Sequence, residues 1–100
     1  MTGDKELDEL LLRVHEIFRT KGIDYGAEED RLHQFRTSAA KSNVTMKQVL
    51  GIFMDKHLTS LEKWIKGEEL RGEPIEEKLL DIICYSMLGY KIAKEEKRDK

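Results

Sequence analysis

The chain has 100 residues, of which 38% are charged and 39% hydrophobic, and its formal net charge is −2 at pH 7. A chain of this length is typical of one domain with a modest core, so we expect a single domain over residues 1–100 that gains stability by oligomerising. The slight acidity argues against a general nucleic-acid binder, because proteins that track phosphates need a basic excess. The sequence contains no apolar run of about 18 residues, so it predicts no membrane-spanning helix.

Cysteine usage indicates a reducing compartment. Cys84 is the single cysteine, so an internal disulfide cannot form, and it lies in the most apolar segment of the chain. The first ten residues are acidic and lack the apolar core of a signal peptide. We therefore expect a cytoplasmic protein.

Apolar residues at helical spacing predict two helices in the first half of the chain. The first helix runs from about Asp4 to Lys21, and Gly22 is a suitable residue for its end. A shorter second helix covers Glu28 to Lys41, with an acidic start that complements the helix dipole. Its buried side consists of three apolar residues, Leu32, Phe35 and Ala39.

Two further helices are predicted in the second half. The third follows a capping box formed by Thr45 and Gln48 and runs to about Lys66. The fourth begins at Pro74 and runs to about Ala93, and the charged tail from about residue 94 is expected to fray into solvent. Three long helices, one short helix and no strand-like alternation predict an all-α protein, a small helical bundle.

The fourth helix is apolar over most of its girth. Its apolar positions form two adjacent faces, one with Leu79, Ile82, Ile83, Ser86 and Tyr90 and the other with Leu80, Cys84, Met87 and Leu88. Asp81 and Tyr85, one turn apart, lie on the narrow remaining face. Such a helix must be covered on several sides, so it is either the central helix of the bundle or a helix that also meets another subunit.

Six polar or aromatic side chains are candidates for ligand binding: Tyr25, Lys56, His57, Ser60, Asp81 and Tyr85. His57 stands in the apolar stripe of the third helix, where it either contacts a ligand or is a core histidine satisfied by one neighbour. Lys56 and Ser60 are one turn apart and could hold a phosphate. The alternative for Lys56 is an ion pair with an acid such as Asp81, or simple solvation.

The aromatic candidates have two interpretations as well. Tyr85 could stack on a base or donate its hydroxyl, while Asp81 could bind a sugar hydroxyl, a metal or Lys56. Tyr25 precedes Gly26 in a loop that is either a stacking platform for a base or a plain turn between helices.

Acidic residues at the start of the fourth helix, Glu76, Glu77 and Asp81, are the candidate metal ligands. In size and helical make-up the chain resembles MazG-like helical nucleotide pyrophosphatases, which hold Mg²⁺ on E-E-x-x-E and E-x-x-D patterns. Here Glu77 and Asp81 have the spacing E-x-x-x-D, and no E-E-x-x-E occurs. This resemblance implies a Mg²⁺-dependent nucleotide hydrolase as an alternative function; otherwise we expect no cofactor.

A second resemblance covers nearly the whole chain. Residues 21–26 read K-G-I-D-Y-G, Lys56 and His57 form a K-H pair, and Asp81 and Tyr85 give D-x-x-x-Y on the closing helix. This order is similar to that of small phage and prophage proteins of the nucleotide-modification-associated domain family. The resemblance implies nucleotides as ligands and, for a phage protein, a location in the host cytoplasm.

The leading hypothesis is therefore a phage-type, homo-oligomeric helical protein that binds a nucleotide or a nucleotide-derived molecule. By fold-level analogy with helical phage proteins that hold nucleotide signals, it would sequester a signal of a defence system. Lys56 and His57 would hold phosphate, and Ser60 and Asp81 would bind hydroxyls. Either Tyr25 or Tyr85 would stack on the base. A third hypothesis is a structural or interaction module in which Lys56, His57 and Asp81 form only an internal polar network.

Overall fold

The computed structural model describes the backbone of residues 1–24 and 30–99 and the side chains of residues 1–20 and 30–99. This part of the chain contains four α-helices. The helices are α1 (Lys5–Asp24), α2 (His33–Ser42), α3 (Met46–Ile65) and α4 (Ile75–Arg98). No strand occurs in these residues, so the predicted all-α class, with three long helices and one short helix, is confirmed. None of the described helices combines the length and apolar character needed to cross a lipid bilayer.

The chain forms two compact units, Met1–Arg31 and Leu32–Lys100. The predicted organisation as a single domain therefore stays a prediction.

In the first unit, the Asp4 carboxylate accepts a hydrogen bond of 3.1 Å from the Leu7 backbone N–H and so caps the start of α1. The helix backbone continues past Gly22, the predicted end, to Asp24. A glycine inside a helix costs only about 1 kcal/mol relative to alanine, so it does not by itself end a helix.

The short helix α2 begins later than predicted, at His33, with Leu32 as its N-cap. Glu28 and Glu29, the first two acids of the predicted start, lie outside the described residues. Asn43 ends the helix in the left-handed conformation, with φ 55°. The predicted capping box is confirmed: the Thr45 side chain accepts from the Gln48 N–H, and the Gln48 side chain accepts from the Thr45 N–H.

The core of the second unit forms because α3 packs against both α2 and α4. Its buried members are Leu32, Phe35, Ala39, Val49 and Ile92, and Val44, Met46, Leu50, Phe53, Tyr85 and Leu88 pack against them. All three residues predicted to form the buried side of α2 are therefore buried. Within this unit α3 is the helix that packs against both of the others, and the interpretation of the fourth helix as central to the bundle stays a prediction.

The face of α4 that packs on α3 is the narrow face with Asp81 and Tyr85, which the sequence analysis set apart from the two apolar faces. Tyr85, Leu88 and Ile92 of this face belong to the core or pack against it, and Asp81 precedes Tyr85 by one turn. Gly89 lies at a close approach of the two helices, where an added Cβ would stand 2.9 Å from Leu50 Cδ2. The ring of Tyr85 makes this face apolar enough to be buried, although its hydroxyl is polar.

The charged tail is helical rather than frayed, since α4 continues to Arg98. Two ion pairs hold this last part of the helix to its neighbours. Arg36 of α2 donates from two nitrogens to the Glu95 carboxylate, with Nη1 2.7 Å from Oε2. Lys47 Nζ of α3 lies 3.1 Å from Oε1 of Glu96. Charge alone suggested a solvated tail, but these carboxylates have basic partners on other helices.

Phe35 offers a direct test of this core. It is 3% exposed and its ring meets Phe53 edge-on, with ring centroids 5.7 Å apart. We expect Phe35→Ala to lower the free energy of unfolding by roughly 3 to 5 kcal/mol, because it removes a large buried side chain and leaves a cavity. Urea denaturation followed by circular dichroism measures the change. The control is Ile52→Ala on α3, where Ile52 is 68% exposed, and a comparable loss in this control would contradict the assigned core.

Candidate functional site

Helices α3 and α4 bring together three of the six predicted ligand-binding residues. His57 on α3 has its Nδ1 atom 3.7 Å from Oδ2 of Asp81 on α4. The imidazole ring also contacts Tyr85 of α4, with ring centroids 5.5 Å apart. These three residues form what we call the α3–α4 site.

His57 is the buried polar residue of this site, with 3% of its surface exposed. Its Nδ1 has no hydrogen-bond partner, because 3.7 Å to the Asp81 carboxylate is too long for a hydrogen bond. Leaving a buried donor or acceptor unsatisfied costs about 1–3 kcal/mol. The Asp81 side chain is 40% exposed, so it has room to move toward the imidazole or to meet a ligand.

Several charges act on the imidazole. Burial lowers the pKa of His57 below its ordinary value of 6.5, the Asp81 carboxylate opposes this effect, and Lys78 and Lys56 lower the pKa further. Glu73 raises it slightly, and the same carboxylate lies 3.6 Å from Lys78 Nζ. The net result is a histidine that is neutral near pH 7 and faces a carboxylate.

Tyr85 lies between two other rings. Its centroid is 5.9 Å from that of Phe53 and 5.5 Å from that of His57. Burial raises the pKa of the Tyr85 phenol, and the negative charge of Asp81 and the Cys84 thiol act in the same direction. The phenol is therefore neutral at physiological pH and can donate its hydroxyl proton. A ring packed in this way offers a ligand its hydroxyl more readily than its face.

Lys56 and Ser60 lie beside the site on α3. Lys56 is exposed, and Ser60 donates its hydroxyl proton to the Lys56 carbonyl oxygen at 3.1 Å. Ser60 therefore has its oxygen lone pairs, but not its proton, available for a ligand. Among the described residues, Lys56 forms no ion pair with Asp81, so its ammonium group is left to act on solvent or on an anion.

The other predicted site residues are placed differently. Tyr25 lies outside the described residues. Within residues 1–24 and 30–99, no group of three or more His, Cys, Asp or Glu side chains is arranged to hold a metal ion, so Glu76, Glu77 and Asp81 are not brought together in this way. For Glu76 the reason is helical geometry: it is five positions before Asp81, which turns the two side chains about 140° apart around the helix.

Lys78 and Glu73 are charged neighbours of His57 that sequence reasoning did not include among the site residues. The Lys78 side chain is 19% exposed. A signal for it was present, because Lys78, Asp81 and Tyr85 follow the helical spacing of three and then four residues. Glu73 had no such signal, since it precedes α4 and only the folded chain brings it near Lys78.

Comparison of the chain with models of known families, with curated proteins and with solved structures found no match. The case for a function therefore depends on the chemistry of the α3–α4 site.

The lowered pKa of His57 predicts a pH dependence of stability. In the unfolded chain the imidazole takes up a proton near its ordinary pKa of 6.5, whereas in the folded chain it does so only at lower pH. The unfolded state thus binds more protons in this window, so the free energy of unfolding falls as the pH decreases below about 6.5. One group contributes a slope of at most about 1.4 kcal/mol per pH unit.

We expect His57→Gln to flatten this slope between about pH 5.5 and 7.5, because glutamine does not titrate. Urea denaturation at a series of pH values measures it. The matched control is His33→Gln on α2, where His33 is exposed, and this variant should keep the slope of the parent chain. An unchanged slope in His57→Gln would contradict the proposed protonation behaviour.

Proposed function

We propose that the α3–α4 site binds a nucleotide or a nucleotide-derived small molecule. The observation that supports it best is an incomplete polar arrangement: a buried imidazole with an unpaired Nδ1 beside a carboxylate that is 40% exposed. A purely internal network would pair the imidazole and bury the carboxylate. Here the imidazole is unpaired and the carboxylate is partly exposed, so a ligand has room to bind Asp81.

Each group has a role suited to one part of a nucleotide. The Asp81 carboxylate accepts hydrogen bonds from ribose hydroxyls, for which two neighbouring oxygens are well suited. The exposed ammonium of Lys56 attracts phosphate. His57 is too buried to hold phosphate directly, so in this proposal its Nδ1 bonds to Asp81 only when the carboxylate moves closer than its present 3.7 Å.

Tyr85 and Ser60 complete the recognition. The neutral phenol of Tyr85 donates a hydrogen bond, and its ring supports His57 from one side. The Ser60 oxygen accepts one. Binding at this site is compatible with sequestration of a nucleotide signal by a phage protein in a host cytoplasm, a part of the proposal supported by the sequence resemblance alone.

Isothermal titration of the full chain with AMP, ATP, 3′,5′-cyclic AMP and ADP-ribose tests the proposal. We expect binding of at least one of these molecules, and a tenfold or greater loss of affinity in Asp81→Asn, equivalent to about 1.4 kcal/mol. The matched control is Asp55→Asn, which removes an exposed carboxylate on another face of α3 and should leave the affinity unchanged. No heat with any ligand, together with an unchanged melting temperature, would refute the proposal.

The role of Asp81 has a sharper test in a ligand pair. The 2′-deoxy form of the bound nucleotide should bind more weakly than the ribose form to the parent chain, because it lacks one hydroxyl that donates a hydrogen bond to the carboxylate. The two forms should bind equally to Asp81→Asn if the carboxylate reads that hydroxyl. If the parent chain binds no ligand and Asp81→Asn has a much lower melting temperature than the parent, the result would instead favour an internal polar network.

A further inference from the structure

The side of α4 that points away from α3 carries an apolar stripe. Leu79, Ile83, Met87 and Tyr90 follow one another at intervals of four, four and three residues, so they lie on one face of the helix. We call these four residues the outer stripe. They are half a turn around the helix from Tyr85 and Ile92, which take part in the core of the second unit.

Two members of the outer stripe are well exposed. Met87 is 47% exposed and Tyr90 is 65% exposed, whereas Ile92 on the inner side is 3% exposed. Leu79 and Ile83 are half-buried. Exposed large apolar side chains on one side of a helix are typical of surfaces that meet another molecule. The stripe borders Leu80, which is 2% exposed, so its exposed part is centred on Met87 and Tyr90.

Charges of opposite sign stand at the two ends of this stripe. Glu76 lies one turn before Leu79, while Lys94 and Lys97 follow Tyr90 on the same side of the helix, and all three are exposed. Glu76 and Lys97 form no ion pair within the described part of the chain. Lys94 Nζ lies 5.5 Å from the centre of the Tyr90 ring. The stripe is therefore acidic at its start and basic at its end.

We infer that the outer stripe is the interface between two copies of this chain, with their α4 helices antiparallel about a two-fold axis. In an antiparallel pair the basic end of each α4 lies beside the acidic end of the other, so the same attraction between opposite charges occurs twice. If Ile83 faces Met87 of the second copy, Glu76 faces Lys94; if Ile83 faces Tyr90, Glu76 faces Lys97. A parallel copy would place like charges opposite each other at both ends.

The same pattern argues for a second copy over other occupants. An acidic partner would be repelled by Glu76, and a basic partner would be repelled by Lys94 and Lys97. A second copy in the reversed direction places opposite charges together at both ends of the stripe. The stripe and the α3–α4 site are on opposite sides of α4, so this inference does not depend on the proposed ligand.

Sedimentation equilibrium of the full chain over a range of concentrations tests the interface. We expect a reversible dimer, and a rise of at least tenfold in its dissociation constant for Tyr90→Glu, which puts a charge into the apolar contact. The matched control is Ile52→Glu on α3, where Ile52 is 68% exposed and off the stripe, and it should leave the dimer unchanged. Circular dichroism verifies that both variants keep their helices.

Charge reversal tests the antiparallel arrangement. Glu76→Lys should weaken the dimer, and so should the combination of Lys94→Glu and Lys97→Glu, since each creates like charges across the contact. The variant with all three changes should dimerise like the parent chain. In a parallel pair, reversing one end alone would change nothing, because like charges already face each other there.

Three results would overturn the inference. The first is a chain that stays monomeric at every concentration, and the second is a dimer as strong in Tyr90→Glu as in the parent. The third is a dimer that the single reversals leave unchanged or that the triple variant does not restore.

Discussion

The second unit of the chain depends on a row of ring contacts through its centre. Phe35 of α2 meets Phe53 of α3 at 5.7 Å, Phe53 meets Tyr85 of α4 at 5.9 Å, and Tyr85 meets His57 of α3 at 5.5 Å. The row begins in the apolar core and ends at a histidine beside a partly exposed carboxylate. The same packing that stabilises the helices thus sets the position of the imidazole, and the site cannot move independently of the core.

This arrangement explains the electrostatic character of the site. Packing against Tyr85 and the neighbouring helices removes water from His57, which disfavours its charged form and lowers its pKa. Asp81 stays partly exposed because it lies near the first turns of α4, beyond the end of the apolar core. A neutral buried base next to a partly exposed acid leaves the carboxylate of Asp81 able to accept hydrogen bonds from a ligand. The α3–α4 site lies on one long side of α4, and the outer stripe lies on the other.

The sequence predicted local features well where neighbouring residues control them. The capping box of Thr45 and Gln48 was predictable because both partners belong to the same turn. The buried side of α2 was predictable because Leu32, Phe35 and Ala39 share one helical face. The tail after residue 94 was not, since its helix is held by Arg36 and Lys47 on other helices. The candidate site shows the same division. Helical patterns singled out His57, Asp81 and Tyr85 as candidates, although the sequence named Lys56 as a possible ion-pair partner of Asp81 and the structure places Asp81 beside His57. Glu73 near Lys78 had no pattern to indicate it.

By itself the amino-acid sequence determined the all-α class, the number and order of the helices, and which residues were chemically able to form a site. It did so because helical periodicity and capping are properties of residues only a few positions apart. Tertiary structure alone decided which face of α4 packs against α3. The helix is apolar on most sides, so its own pattern is nearly degenerate, and the choice is made by the shape of the partner helix, where Gly89 lets Leu50 approach and Tyr85 joins the ring contacts.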